Sequence, residues 1–252
     1  MRLDARIKSG HDSESAFHDH PSPYPLAQGE GTWTSFTVTD DCEGVSPSSV
    51  QPRLTESAGP YILFPMIDEL RIRRAGPADA RSIGRVHVET WRATYAGIVP
   101  DQVLVEMSAD GKASQWRRML LRPQTGEVVL VAEMPQAGLV GFASCGRADN
   151  GALGIDGEIH TLYVHPDWQE QGIGRRLLCS SLRWLKRSGR TGAFLWVLSQ
   201  NPSRFFYEAM GGERIGEREE KLWQVALPEI AYGWPDLSVL PPACRGDRTR
   251  RA

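Results

Sequence analysis

The sequence predicts an α/β protein, α+β in its mixing of strand directions, with one central mixed sheet flanked by helices. Three observations carry that expectation. Strand-like and helix-like segments follow one another in the order β, αα, βββ, α, β, α, ββ, which places helices on both faces of a mixed sheet. The stretch 158–178, EIHTLYVHPDWQEQGIGRRLL, reads as strand, glycine turn and helix. A hydrophobic content of 40% and eight Trp supply enough apolar side chain for a substantial core.

Residues 1 to about 65 are rich in Ser, Pro, Gly, Asp and His and hold no sustained apolar period, a composition that rarely folds alone. His11, His18 and His20 with Asp12 and Asp19 read there as solvated tail residues rather than a metal site, and no metal is expected. Met66 stands just before the first strand-like segment and is the expected translation start. The intact mass of the protein made from its native gene tests this, and a mass that includes residues 1–65 would overturn it.

Leu70-Arg71-Ile72-Arg73-Arg74 alternates as a first strand, and Gly76-Pro77-Ala78-Asp79 turns the chain, with Asp79 placed to cap a helix from Ala80. Ile83, Val86, His87, Thr90, Trp91 and Thr94 share one face of that helix, which Tyr95-Ala96-Gly97 breaks. A second helical stretch runs from Asp101 to about Leu121, interrupted near Asp110-Gly111. Two apolar runs, 128–132 and 139–144, read as buried strands joined by a turn at Pro135-Gln136-Ala137-Gly138, and Asp149-Asn150-Gly151 turns into the central strand. Within it, Ile159, Thr161 and Tyr163 alternate with His160, Leu162 and Val164. Leu177, Leu178, Leu182 and Leu185 give the next helix its apolar face. A strand follows at 193–198; Pro202 starts a helix carrying Phe205, Phe206 and Met210, with the phenylalanines on its core face, and Gly211-Gly212 ends it. Strands at 213–217 and 222–234 complete the count. Residues 237–252 read as a disordered tail, which leaves 66–236 as the folded domain.

A net charge of −2 and a pI near 6.3 argue against a nucleic-acid partner, and the 25 Arg are scattered rather than clustered. No apolar run approaches the roughly 20 residues of a membrane span, and the N-terminus has no apolar signal core. Cys42, Cys145, Cys179 and Cys244 are far apart and read as reduced thiols, so a cytoplasmic location is expected. A strand edge near the C-terminus leaves room for a homodimer.

Gly172 and Gly174 let backbone N–H groups converge at a helix N-terminus, where the helix dipole adds positive potential, and a pyrophosphate suits that cradle. With its flanks, Gln169-Glu170-Gln171-Gly172-Ile173-Gly174 resembles motif A of the GCN5-related N-acetyltransferases (GNAT). Its signature is Gln or Arg, two variable residues, Gly, one variable residue and Gly or Ala. The apolar strand ending Leu162-Tyr163-Val164-His165-Pro166 precedes it as in that family, and Asn201-Pro202-Ser203-Arg204-Phe205-Phe206-Tyr207-Glu208 matches a later segment. The resemblance runs from about Leu70 to about Trp234.

It implies the GNAT acyl-CoA N-acyltransferase fold, in which the fourth and fifth strands, ending at Val164 and spanning 193–198, splay apart to admit the pantetheine of acetyl-CoA. Leu162, Tyr163 and Val164 would then contact the cofactor through backbone atoms, with the N–H of Leu162 as oxyanion donor. Gln169, Glu170, Gln171, Gly172, Ile173, Gly174 and Arg175 would form the pyrophosphate loop. Asn201 would bond the cofactor, or cap the helix after Pro202. Tyr207 matches the tyrosine that protonates the departing thiolate. Glu158 lies 14 positions before Gly172, the spacing of the general-base glutamate in histone-type members, with His160 in reserve; it also reads as an ordinary charged residue at a strand start. Trp91-Arg92-Ala93-Thr94-Tyr95 is similar to the first helix and loop of many bacterial small acetyltransferases. Trp91 and Tyr95 would wall the acceptor site and Arg92 hold an acceptor carboxylate or phosphate, unless they are core aromatics and a solvated arginine.

A lysine-like amine is only about one part in 10³ neutral at pH 7, equivalent to roughly 4 to 5 kcal/mol, so a base matters. Cys145 and Cys179 have no recognisable His partner, so transfer without an acyl-enzyme intermediate is expected, and the resemblance implies a small-molecule primary amine as the acceptor. An N-terminal, peptide or protein acceptor is the enzymatic alternative, and a non-catalytic acyl-CoA-binding regulatory module the alternative of another class.

Overall fold

A computed structural model of the protein describes residues 69–148, 153–222 and 225–245. The Met66 start, the extension 1–65, the turn at Asp149-Asn150-Gly151 and the residues after Arg245 lie outside them. The elements are β1 Arg71–Arg74, α1 Ala80–Thr94, α2 Asp101–Glu106, α3 Ala109–Leu121, β2 Val128–Met134, β3 Gly138–Arg147 and β4 Gly157–Val164. They continue with α4 Ile173–Arg187, β5 Ala193–Leu198, α5 Arg204–Ala209, β6 Glu213–Leu222, β7 Val225–Trp234 and α6 Pro242–Arg245.

Seven strands form one sheet in the order β1-β2-β3-β4-β5-β7-β6. Its neighbours are antiparallel except β4 and β5, which run parallel and pair at Glu158 and Phe194 alone. The helices α1 and α3 cross where Gly84 brings two backbones together. A Cβ there would come within 2.6 Å of the Ala113 nitrogen and the Ala109 oxygen, so a side chain has no room. They cover the sheet through Phe142, whose ring meets Trp116 and Tyr163 edge-on at 5.0 and 5.3 Å. The other face takes α4, with Leu177, Leu178, Leu182 and Leu185 fully buried. Gly141 lets α4 approach there, since a Cβ would lie 3.2 Å from Leu177 Cδ1 and 2.9 Å from the Tyr163 oxygen.

Several expectations are corrected. Alternation along β4 fails at His160, because Ser144 opposes Thr161 while Cys145 opposes Ile159, leaving one extra residue in β4. Ile159 therefore shares a face with Leu162 and Val164, and Thr161 and Tyr163 share the opposite one. At the bulge the Thr161 hydroxyl accepts from the Ser144 N–H at 3.0 Å and shares a hydrogen bond with Ser144 Oγ at 2.6 Å. The helical stretch after Asp101 breaks at Met107-Ser108, not at Asp110-Gly111, because extended Ser108 caps α3 by accepting from the Gly111 N–H. Asp79 does not cap α1; its carboxylate takes both terminal nitrogens of Arg73 at 2.8 Å and the Gly76 N–H at 2.8 Å. Phe205 is half exposed, with Arg204 stacked 4.5 Å over its ring.

The boundary at 236 and the reduced state of two thiols are also corrected. Leu237 and Cys244 are fully buried, and Cys179 of α4 is disulfide-bonded to Cys244 of α6. Arg183 donates to the Cys244 carbonyl and Lys186 to that of Ser238, so α4 holds this segment along much of its length. Cys145 is free and buried, and burial pushes its thiol up to about 12. No described helix is long and apolar enough to cross a membrane.

Candidate active site

The loop 169–172 is shaped by two left-handed residues. Glu170 has φ 59° and Gly172, the N-cap of α4, has φ 79°. No side chain caps α4, so the N–H groups of Ile173, Gly174 and Arg175 have no helical acceptor and the dipole end stays open. Nothing lies within 4 Å of where a Gly172 Cβ would stand. Open space, free N–H groups and a positive dipole fit a phosphate anion. Gln169 ties the loop to the sheet by donating from Nε2 to the Val164 carbonyl at 3.0 Å, and Gln171 Nε2 reaches the Asp167 carbonyl at 3.3 Å. Both amides thus build the loop, while Arg175 is exposed.

The gap between β4 and β5 opens directly below. The His165 N–H bonds to the Val140 carbonyl on β3 at 2.9 Å. Backbone N–H groups alternate along a strand, so those of Leu162 and Val164 point the other way, into the gap that β5 does not fill. The Val164 carbonyl points there too and accepts from Thr90 Oγ1 at 3.1 Å.

Around the gap stands a buried cluster of aromatic hydroxyls. Trp91 Nε1 donates to the Tyr163 hydroxyl at 2.9 Å, and Asn201 Nδ2 to the Tyr95 hydroxyl at 3.3 Å. Tyr207 is 1% exposed, and Tyr95, Tyr163 and Tyr207 interact electrostatically with one another. Burial, then the Tyr163 neighbour, holds the Tyr207 phenol well above its ordinary value, so it keeps its proton at neutral pH. Asn201 is itself fully buried, and its Oδ1 accepts from the Ser203 N–H at 2.9 Å, which fixes the turn before α5. Trp91 and Tyr95 pack in the core with ring centroids 4.7 Å apart. Arg92 turns its guanidinium to the carbonyls of Leu104 and Met107, at 3.1 and 2.9 Å, and so pins the end of α2.

Glu158 lies at the closed end of the gap, its Oε1 3.8 Å from His160 Nδ1, both side chains mostly buried. Reading the residues missed what stands beyond it. Glu229, on β7 opposite Leu198, has a fully buried side chain, and Arg218 on β6 donates to its Oε2 from Nε at 2.5 Å. Arg218 also lies 4.2 Å over the Trp196 ring. Burial raises the Glu229 carboxyl, to about 8, and the adjoining guanidinium opposes that rise. The one trace of this site in the sequence is a glutamate amid the apolar residues of Ala226-Leu227-Pro228-Glu229-Ile230-Ala231.

The chain matches the acetyltransferase (GNAT) domain over residues 125–211, from β2 through α5. It is 36% identical over 169 residues to the uncharacterized N-acetyltransferase YuaI of Bacillus subtilis (strain 168), covering 67% of this chain and 95% of that protein. The chain belongs to the GNAT family of N-acetyltransferases. A spermidine N(1)-acetyltransferase of Thermoplasma acidophilum is 24% identical over 153 residues, 60% of this chain and 91% of that protein. Two solved GNAT structures share the fold. YncA of Salmonella typhimurium, determined with its cofactor acetyl-CoA, is 23% identical with a TM-score of 0.51, over 70% of this chain and 99% of that one. A spermidine N-acetyltransferase SpeG chimera from Vibrio cholerae is 18% identical with a TM-score of 0.51, over 68% and 96%. The GNAT fold is thus this chain's fold, and acyl transfer its reaction type.

Proposed function

We propose that this protein transfers the acetyl group of acetyl-CoA directly to a primary amine of a small molecule. The observation that carries the reading is the gap. The parallel strands β4 and β5 hold one pair of partners and then part, with two backbone N–H groups aimed between them and the open end of α4 above. Acetyl-CoA supplies a thioester carbonyl and a thiolate leaving group. The N–H groups of Ile173, Gly174 and Arg175 would hold its pyrophosphate. The Val164 backbone would bond the pantetheine, and the Leu162 N–H would stabilise negative charge developing on the thioester oxygen. Glu158 would accept the proton of the attacking amine and Tyr207 would donate one to the departing sulfur. Tyr207 offers a buried phenol that is protonated at neutral pH, as an ordinary tyrosine also is, in electrostatic contact with Tyr163. Cys145 does not suit a covalent relay, since its thiol is fully buried and held up near 12. The spermidine acetyltransferases among the relatives support a small amine as acceptor.

Acetyl-CoA-dependent thiol release against polyamines, amino acids, aminoglycosides and N-terminal peptides tests this. Release above the no-acceptor background is expected with one small-molecule class. Tyr207→Phe and Glu158→Gln should each lower kcat by about 10²-fold where chemistry is rate-limiting. Full turnover in both variants would sink the role assignment.

A further inference from the structure

The face of the sheet that carries Glu158 also carries a guanidinium whose Nε pairs with buried Glu229 while its terminal nitrogens are left without hydrogen bonds among the described residues. In each strand pair, residues directly opposite share a face of the sheet. Glu158 opposes Phe194, and Phe194, Trp196 and Leu198 alternate onto one face of β5. Glu229 opposes both Leu198 and Arg218, so Glu158 and Arg218 lie on the same face, opposite α4, on the two sides of the gap. Burial lowers the Arg218 pKa, and the charges of Glu220 and then Glu158 oppose that fall, so the Glu158 carboxylate is felt at Arg218.

Arg218 is fixed at two points. Its Nε is bonded to buried Glu229 and its plane lies over Trp196, which removes most of its rotamer freedom. Its side chain is 42% exposed, and among the described residues neither terminal nitrogen donates a hydrogen bond. Glu220 approaches Nη2 to 3.8 Å only, an exposed ion pair of little worth that a ligand displaces easily. A planar fork fixed at Nε, with Nη2 engaged only by that loose ion pair and neither Nη group hydrogen-bonded among the described residues, matches the two oxygens of a carboxylate.

We propose that Arg218 determines acceptor specificity by binding a carboxylate of the acceptor, so that the substrate class is an amino acid or other small amino-carboxylate. This rests on the transferase reading above and narrows it. A guanidinium and a carboxylate on one face of the sheet, Glu158 beside the gap and Arg218 two strands beyond β5, complement a zwitterion, with the amine at Glu158 and the carboxylate at Arg218. A polyamine would have to seat a second ammonium beside the fixed guanidinium. Glu229 and Trp196 act through Arg218 as positioning residues.

The experiment is thiol release from acetyl-CoA by the full chain with three acceptor sets: free amino acids, the same amino acids as C-terminal amides, and putrescine and spermidine. Wild type should use a free amino acid with a KM at least about 10-fold below that of its amide, as for one lost charge-assisted pair. Arg218→Gln should raise KM for the free acid by about 10- to 100-fold, while leaving KM for the amide and for acetyl-CoA within about 2-fold, and Arg218→Lys should recover part of the loss. Circular dichroism checks that both variants fold, and the wild-type comparison of acid with amide needs neither. Turnover of polyamines with a KM that Arg218→Gln leaves unchanged or lowers would overturn the proposal, as would equal use of acid and amide. No transfer to any of the three sets, with aminoglycosides or N-terminal peptides acetylated, would overturn this proposal alone; no transfer to those acceptors either, with acetyl-CoA binding retained by calorimetry, would overturn the transferase reading with it.

Discussion

His87 sits inside an aromatic cage, with the Trp91, Trp116, Phe142 and Tyr163 rings 5.0 to 6.2 Å from its own. Trp116 Nε1 donates to His87 Nδ1 at 3.2 Å, so the ring is neutral with its proton on Nε2, and that atom has no partner among the described residues. Burial, then the charge of Lys112, holds its pKa well below 6.5. In the unfolded chain His87 takes a proton near pH 6.5, whereas in the folded chain it resists. Stability is therefore full above about pH 6.5 and falls below it, by up to about 1.4 kcal/mol per pH unit. Thermal melts from pH 8 to pH 5 should show Tm falling below pH 6.5, with a flatter profile in His87→Phe; the same slope in both would remove His87 as the cause. Gly172 matters at this scale for its conformation. Gly172→Ala should cost about 1 to 2 kcal/mol of folding stability for the left-handed backbone and raise KM for acetyl-CoA by about 10-fold or more, with kcat little changed. An unchanged KM would take the loop out of cofactor binding.

Among the elements, α6 behaves as a clasp on α4. Its Cys244 is bonded to Cys179 across 65 residues of sequence, and Arg183 and Lys186 bond the carbonyls of Cys244 itself and of Ser238 before it. Closing a loop of that length stabilises the folded chain by about 4 kcal/mol in the chain-entropy account. Cys179→Ser with Cys244→Ser should therefore lower Tm by several degrees, and reductant should do the same to wild type while leaving the double variant untouched. A reductant effect of equal size on the double variant would point to another cause. Within β4 the element-scale lesson is the bulge. It puts Tyr163, which meets Trp91, and Glu158 on one face of β4, so a ladder without the extra residue would put one of them on the other side.

For the molecule as a whole, one large apolar cluster runs through both helical layers and the sheet and includes Leu237 and Cys244. The cooperative unit thus extends past the boundary at 236 read from composition. A chain cut after Arg245 should keep the Tm of the full protein within about 2 °C, whereas one cut after Asp236 should melt several degrees lower, because it loses both the disulfide and a buried Leu237. Equal melting of the two would show that the last segment adds nothing to the fold.

The order of elements, the glycine loop and the pairing of Glu158 with Tyr207 as candidates were all legible in the residues. Strand and helix periods, left-handed glycines and motif spacing are local properties, set within a few positions of the chain. The proposed acceptor face was not legible, because Arg218, Glu229, Trp196 and Glu158 come from four strands and only the sheet's order and register bring them together. The same holds for Cys179 with Cys244, and for Trp91 and Tyr95, whose core placement follows from Tyr163 and Asn201 lying far along the chain. The sequence by itself determined the family, the fold and the reaction class, whose signals are short-range patterns. Only the tertiary structure decided which charges face the gap, because that depends on strand register, where one inserted residue at His160 reverses the faces on either side of it.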